Sequence, residues 1–132
     1  MGRALSSGLF LLDTSTLIWA LAEPKRLSRG AKQVIASGPQ VLSVASYWEI
    51  VIKSNNGLLA IADPANWWER AVQDLGATVL SIRPRHVAAL AALPDYHRDP
   101  FDRILVSQAI AEGLTLLASD SIVRRYPAKT FW

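Results

Sequence analysis

Cysteine is absent from these 132 residues, which excludes a disulfide framework, a thiolate zinc site and a cysteine nucleophile, and suits a reducing compartment. Histidine is scarce as well. His86 and His97 are the only two, so a histidine-rich metal centre is out of reach. The sequence has no glycine-rich phosphate loop of the P-loop or dinucleotide type and no Gly-x-Ser-x-Gly nucleophile elbow. Long apolar runs are missing too: Leu9 to Leu12 is stopped by Asp13, and no segment approaches the length of a bilayer span. The chain therefore reads as soluble, unprocessed and cytoplasmic. With no repeat, low-complexity tract or linker in view, residues 1–132 read as one domain, long enough to bury a core without staples.

What is present is a mild excess of positive charge, +3 with a pI near 9.6. That is the direction expected of a protein that meets a polyanion, and equally of an ordinary basic domain. Apolar runs suited to buried strands occur at Leu9 to Leu12, Val41 to Val44, Val79 to Ile82 and Leu114 to Ala118, with an edge strand at Thr130 to Trp132. Helical patterns lie between them. This alternation predicts an α/β fold whose parallel sheet is covered on both faces.

The helices carry readable boundaries. Ser28 leads into Arg29 to Ser37, which Gly38-Pro39 stops; Ser46 opens a helix that Gly57 ends. Asp63-Pro64 and Asp99-Pro100 each place an N-cap carboxylate before a proline at the first helical position, and Arg83-Pro84 starts a helix by its proline. In the helix after Asp63, the spacing of Trp68, Ala71, Val72 and Leu75 turns them to the core, which leaves Trp67 at its border.

The chemistry-bearing residues are acids at the ends of these elements. Asp13 closes the first strand and Asp120 follows the fourth. Each also fits an N-cap. Ser46-Tyr47-Trp48-Glu49 has the form of a capping box, with Lys53 placed to pair with Glu49 one turn on. Asp99 and Asp102 suit the N-terminus of the helix at Pro100, where negative charge is favoured, and Arg98 and Arg103 flank them. Parallel strands put their carboxyl ends on one edge of the sheet, where open α/β folds bind ligands. Carboxylates gathered there repel one another, and a hard divalent cation relieves the repulsion. His97 reads as a solvated loop residue and His86 has no assigned role. The five tryptophans, lacking a strand-borne aromatic pattern, read as core or contact residues rather than a nucleic-acid platform.

The ordered set Leu-Leu-Asp13-Thr-Ser, Ser46-x-x-Glu49, His97-Arg98-Asp99-Pro100-Phe101-Asp102-Arg103 and Ala118-Ser119-Asp120 resembles the PIN-domain ribonucleases, specifically the VapC-type toxins of toxin-antitoxin pairs. The resemblance spans nearly the whole chain. It implies a three-layer α/β/α PIN-like fold with a central, mostly parallel sheet of four or five strands. It also implies a metal-dependent endoribonuclease in which Asp13, Glu49, Asp102 and Asp120 hold Mg²⁺ or Mn²⁺, with Asp99 as a further acid that ligates, orients Asp102 or caps the helix. Ser46 and Ser119 support the set, Ser119 standing where the wider family often has threonine. Lys53, Arg98, Arg103 and Arg124 are the expected contacts to RNA, with Arg125 beside them and Lys25, Arg26 and Arg29 further out. The implied partners are an RNA substrate, an inhibiting antitoxin and a second copy in a homodimer, with Trp19, Trp48 and Trp67 as contact candidates. The competing class is a non-catalytic RNA- or protein-binding module on the same fold. A receiver-like signalling domain does not fit, because the Val79 to Ile82 strand runs into Arg83-Pro84 instead of supplying the required lysine.

Overall fold

The central strands of this protein are short, apolar and buried between helices, so each must satisfy both sides of a sheet, while the two edge strands stay partly exposed. The computed structural model describes residues 8–132. Strands β1 (Phe10–Leu12), β2 (Val41–Ser43), β3 (Thr78–Leu80), β4 (Thr115–Leu117) and β5 (Thr130–Phe131) form one sheet in the order β3-β2-β1-β4-β5. All pairings are parallel, with Leu11 opposite both Val41 and Leu116. Helices α1 (Thr14–Ala22), α2 (Arg29–Ala36), α3 (Val44–Asn55), α4 (Pro64–Asp74), α5 (Pro84–Ala89) and α6 (Pro100–Glu112) make the crossovers. The expected strands are thus present with ends shifted by a residue or two, and the helix starts at Ser28, Asp63, Arg83 and Asp99 are where the sequence puts them. No described helix is long and apolar enough to cross a membrane.

Alternation along the strands builds two cores. Leu11, Val41 and Leu116 point to one face, against Leu105 and Ala109 of α6 and Tyr126. Leu12, Leu42 and Leu117 point to the other, against Leu17 of α1, Ala31 of α2, Ile50 of α3, and Trp68 and Ala71 of α4. Trp68 stacks on Tyr47 at 4.9 Å, and Trp67 borders this second core as its spacing predicts. Gly57, at φ 74°, follows α3 in the left-handed conformation that glycine tolerates best, and so stops the helix.

The start of α3 differs from the sequence expectation. Ser43, not Ser46, is its N-cap: the Ser43 hydroxyl accepts from Ala45 N–H at 3.0 Å and donates to Gln108 Oε1 at 2.6 Å. Ser46 lies inside the helix, fully buried, where it accepts a 3.0 Å hydrogen bond from Thr14 Oγ1. The capping box therefore does not form. The sheet ends one residue before the expected boundary, which lets the helix begin three residues earlier. Glu49 is then drawn into the second turn, on a buried face.

His86, with no role expected, is fully buried. Its Nδ1 accepts from Arg83 N–H at 3.0 Å and its Nε2 donates to Glu112 at 2.8 Å, tying α5 to the far end of α6. Gln108 reaches the same ring and the Ser81 carbonyl. A polar seam thus runs from α5 through α6 to the cap of α3.

Ser43→Ala is expected to lower the unfolding free energy by about 2–4 kcal/mol, combining a lost cap with an orphaned buried Gln108 oxygen. Urea unfolding measures this, and a loss below about 0.5 kcal/mol would remove Ser43 as the cap that starts α3.

Candidate active site

The sheet order creates one place where the chain turns both ways. From β1 it passes to β2 and β3 on one side, then crosses back to β4 and β5 on the other. The crevice outside the carboxyl ends of β1 and β4 is the topological switch point, the usual ligand position in such folds. Asp13 and Asp120 sit there, one immediately after β1 and the other just past β4. Asp13 N–H donates to the Leu117 carbonyl at 3.2 Å and Thr16 Oγ1 donates to the same oxygen at 3.1 Å, so the strand register places the first acid directly.

Asp13 is also the N-cap of α1, accepting from Thr16 N–H at 2.8 Å. The structural and chemical readings of this residue coexist. Its second turn having been drawn inward, α3 brings Glu49 to the same crevice, with Oε2 bound by Lys53 Nζ at 2.7 Å. Glu49 Oε1 is buried and has no hydrogen-bond partner among the described residues. Asp102 enters from the first turn of α6. Asp99 is that helix's cap, with Oδ1 accepting from Phe101 and Asp102 N–H at 2.8 and 3.4 Å.

His97 corrects the sequence reading. Far from being a solvated loop residue, its Nε2 lies 3.2 Å from Asp102 Oδ2 and 3.1 Å from Asp120 Oδ2, while Nδ1 accepts from Asp99 N–H at 3.1 Å. The acceptor role of Nδ1 leaves the proton on Nε2, aimed between the two carboxylates. Ligand atoms of His97, Asp102 and Asp120 lie within 4.8 Å of one another. The missed signal was its place in the chain, two residues before the cap of α6, which fixes where the loop must run.

Arg103, expected to reach phosphate, instead donates to the Pro94 carbonyl at 3.0 Å, the Tyr126 hydroxyl at 3.2 Å and the Leu90 carbonyl at 3.4 Å. Its guanidinium has many donors, and two carbonyls of the preceding segment together with the Tyr126 hydroxyl satisfy them. Tyr126 OH also accepts from His97 N–H at 2.8 Å, so Arg103 steadies the loop that carries the histidine. Arg98, Arg124 and Arg125 are exposed near the site; Arg125 lies over the Tyr96 ring at 4.4 Å. Ser119 is half-buried beside Asp120.

Charge in the crevice is unbalanced. Burial, and then the like charges of Asp99, Asp13 and Glu49, push the Asp102 carboxyl up to about 7. Burial raises Asp13 to about 6, with the charges of Glu49 and Asp120 adding to it against the hydrogen bonds of Thr16. Asp120 moves the other way: burial would raise it, but hydrogen bonds from His97 and from the Ile122 and Val123 N–H groups together lower it. Lys53 is raised, chiefly by its hydrogen bond to Glu49 and against its own partial burial. These mutual effects put Asp13, Glu49, Asp102 and Asp120 within electrostatic reach of one another. A half-buried, oxygen-rich group with an orphaned carboxylate oxygen and two acids resisting ionisation suits a hard divalent cation.

The fold and the crevice together define a class. The PIN-domain sequence profile matches residues 10–129, and the chain belongs to the PIN-domain family. Among its relatives is Ribonuclease VapC22 of Mycobacterium tuberculosis, 32% identical over 127 residues, covering 92% of this chain and 97% of that protein. Among solved structures, VapBC2 from Rickettsia felis bound to a promoter DNA fragment aligns with a TM-score of 0.69 at 14% identity, covering 93% of this chain and 97% of the other. The FitAcB structure from Neisseria gonorrhoeae aligns with a TM-score of 0.66 at 17% identity, over 94% and 97%. At these identities the two structures speak for the fold, which is the expected α/β/α arrangement.

Asp13 and Asp102 bind protons more tightly in the folded chain than at the unfolded value of 3.8. Their contribution to stability is complete below that value and is lost as pH rises through about 6 and about 7. The metal-free melting midpoint is therefore expected to fall between about pH 5 and about pH 8, and to fall less in Asp102→Asn. Manganese chloride should raise the midpoint by several degrees at the higher pH and by less at the lower one, where the ligands are protonated. Calorimetry at both pH values checks this; equal shifts at the two would count against a cation held by these acids.

Proposed function

We propose that the chain is a metal-dependent endoribonuclease that hydrolyses RNA phosphodiester bonds and acts as the toxin of a toxin-antitoxin pair. One observation carries this reading: at the β1/β4 switch point the charges of Glu49 and Asp120 raise Asp13, those of Asp99, Asp13 and Glu49 raise Asp102, and His97 Nε2 meets both Asp102 and Asp120. Membership of the PIN-domain family and similarity to a relative named as a ribonuclease support it. The whole of residues 1–132 is taken to act as one PIN-like domain.

In this reading Asp13 and Asp102, with Glu49 and Asp120 beside them, hold Mg²⁺ or Mn²⁺. The bound cation supplies Lewis-acid polarisation of a phosphoryl oxygen and activates water at neutral pH. The chain's own residues do the rest. The β1/β4 register and the cap of α1 hold Asp13 rigid. Asp99 orients Asp102 by capping α6, and Lys53 fixes the Glu49 carboxylate so that its free oxygen faces the crevice. His97, proton on Nε2, donates to Asp102 and Asp120 and keeps their oxygens converged. Lys53, Arg98 and Arg124 meet the RNA phosphates, and Ser46 and Ser119 support the elements that carry Glu49 and Asp120. Asp102 and Asp13 must both be ionised to serve, so the cation is held more weakly at low pH, where it must displace their protons.

The partner in the toxin reading is an antitoxin protein, and the fold offers it a surface. An open groove of about 580 Å³ runs between α1 and α4, lined by Ile18, Leu21, Leu59, Ile61 and Trp67. Trp67, expected at the border of the core, lies on its wall. A homodimer and a cytoplasmic setting belong to the same reading.

Asp13→Asn should reduce RNA cleavage by roughly a hundredfold or more while leaving the fold intact, as expected when several kcal/mol of transition-state stabilisation are removed. Unchanged toxicity in Asp13→Asn would favour the non-catalytic binding module instead. Because water is the nucleophile, the products should carry 5′-phosphate and 3′-hydroxyl ends, readable by end-specific ligation. A 2′,3′-cyclic phosphate as the main product would refute the water step. RNA affinity should fall steeply with added salt, in proportion to the phosphates contacted.

A further inference from the structure

Of the five tryptophans, four have packing partners that account for them. Trp68 is buried on Tyr47, Trp19 meets Trp132 at 6.0 Å and Arg26 at 4.3 Å, and Trp67 lies against the second core. Trp48 is different. It is 57% exposed, and its one aromatic neighbour is Phe101, met edge-to-face at 5.0 Å and 86°. Isolated exposed apolar residues are ordinary on a protein surface. What sets this pair apart is where it stands: Trp48 precedes the buried Glu49 on α3, and Phe101 precedes Asp102 on α6.

The pair therefore forms a rim of the crevice, built from the two helices that deliver two of its acids. Its flanks are basic. Lys53 is pinned to Glu49 one turn along α3, feels the charges of Asp99 and Asp102, and keeps its side chain 41% exposed. Arg98 is exposed on the loop just before α6. Cations that meet phosphates beside an open aromatic face are what an unpaired nucleotide needs. Single-stranded RNA is read largely by bases splayed from their neighbours and stacked on aromatic rings. Tyr96, another exposed aromatic, differs from Trp48 in having the Arg125 guanidinium over its ring.

We infer that Trp48, braced by Phe101, stacks an unpaired base of the RNA next to the phosphate held at the acidic crevice. The inference rests on the ribonuclease reading and deepens it: Trp48 is a substrate-binding residue. The stack tolerates any base, since every base has a π face, and favours those with larger ones. Ile52, 37% exposed one turn further along α3, extends the apolar rim.

The test uses the full chain carrying Asp13→Asn to prevent cleavage, with and without Trp48→Ala or Trp48→Phe, in manganese-containing buffer. Probes are fluorescent ten-nucleotide RNAs, oligoadenylate and an abasic chain with the same number of phosphates, titrated by anisotropy. Trp48→Ala should weaken oligoadenylate by about tenfold or more and leave the abasic chain unchanged, while Trp48→Phe keeps most of the affinity. Equal loss on both probes, or loss on neither, would overturn the stacking. So would a change of oligomeric state in Trp48→Ala by light scattering, since the face would then be a contact with a second protein chain. Thermal melts confirm that each variant is folded. The ribonuclease reading is tested separately by Asp13-dependent cleavage in the otherwise native chain. If that cleavage is present and the probes are not discriminated, only the stacking falls; if it is absent and no RNA binds, both fall.

Discussion

Crowding of negative charge at one edge of a parallel sheet is the constraint around which the molecule is arranged. Ionised carboxylates brought together in a half-buried crevice raise each other's free energy, and only fixed backbone or a counter-charge keeps them there. The structure uses both. Asp13 is held by the β1/β4 register and a helix cap, Asp102 by the cap that Asp99 makes, and Glu49 by Lys53. His97 Nε2 provides a donor between Asp102 and Asp120. Asp13 and Asp102 are driven up from their ordinary values, first by burial and then by like-charged neighbours.

Several residues serve the fold and the site at once. Asp13 and Asp99 cap helices, and Asp120 accepts two N–H groups of the turn that follows it. A carboxylate that begins a helix is oriented at no extra entropic cost, because the helix would need a cap there anyway. The same economy appears in Arg103, whose guanidinium clamps the loop bearing His97.

Much of this was legible in the sequence. Buried parallel strands announce themselves as apolar runs, and Asp63-Pro64, Asp99-Pro100 and Arg83-Pro84 mark helix starts because cap chemistry is local. The acids followed from the strand ends, and the Lys53 to Glu49 pair from helical spacing. What escaped was set by distant partners. Ser46 mimicked a cap, yet Ser43 took that role because Gln108, 65 residues away, bonds its hydroxyl. His97 looked like a loop residue until Asp120, 23 positions on, folded back against it. Arg103 looked free until Tyr126 and the Leu90 and Pro94 carbonyls claimed it. The exposure of Trp48 likewise depends on what the neighbouring helices leave uncovered.

The central position of β1 has a bearing on how the chain comes into being. Its inner edge stays unpaired until residues 115–117 arrive, and Asp13 and Asp120 come from widely separated stretches of the sequence. Pairings of such long sequence separation close late, because the intervening loop must first be drawn in. A nascent chain still on the ribosome thus has no assembled crevice until residues 115–120 have emerged. Synthesis of the ribonuclease is in this way separated in time from its competence to cut.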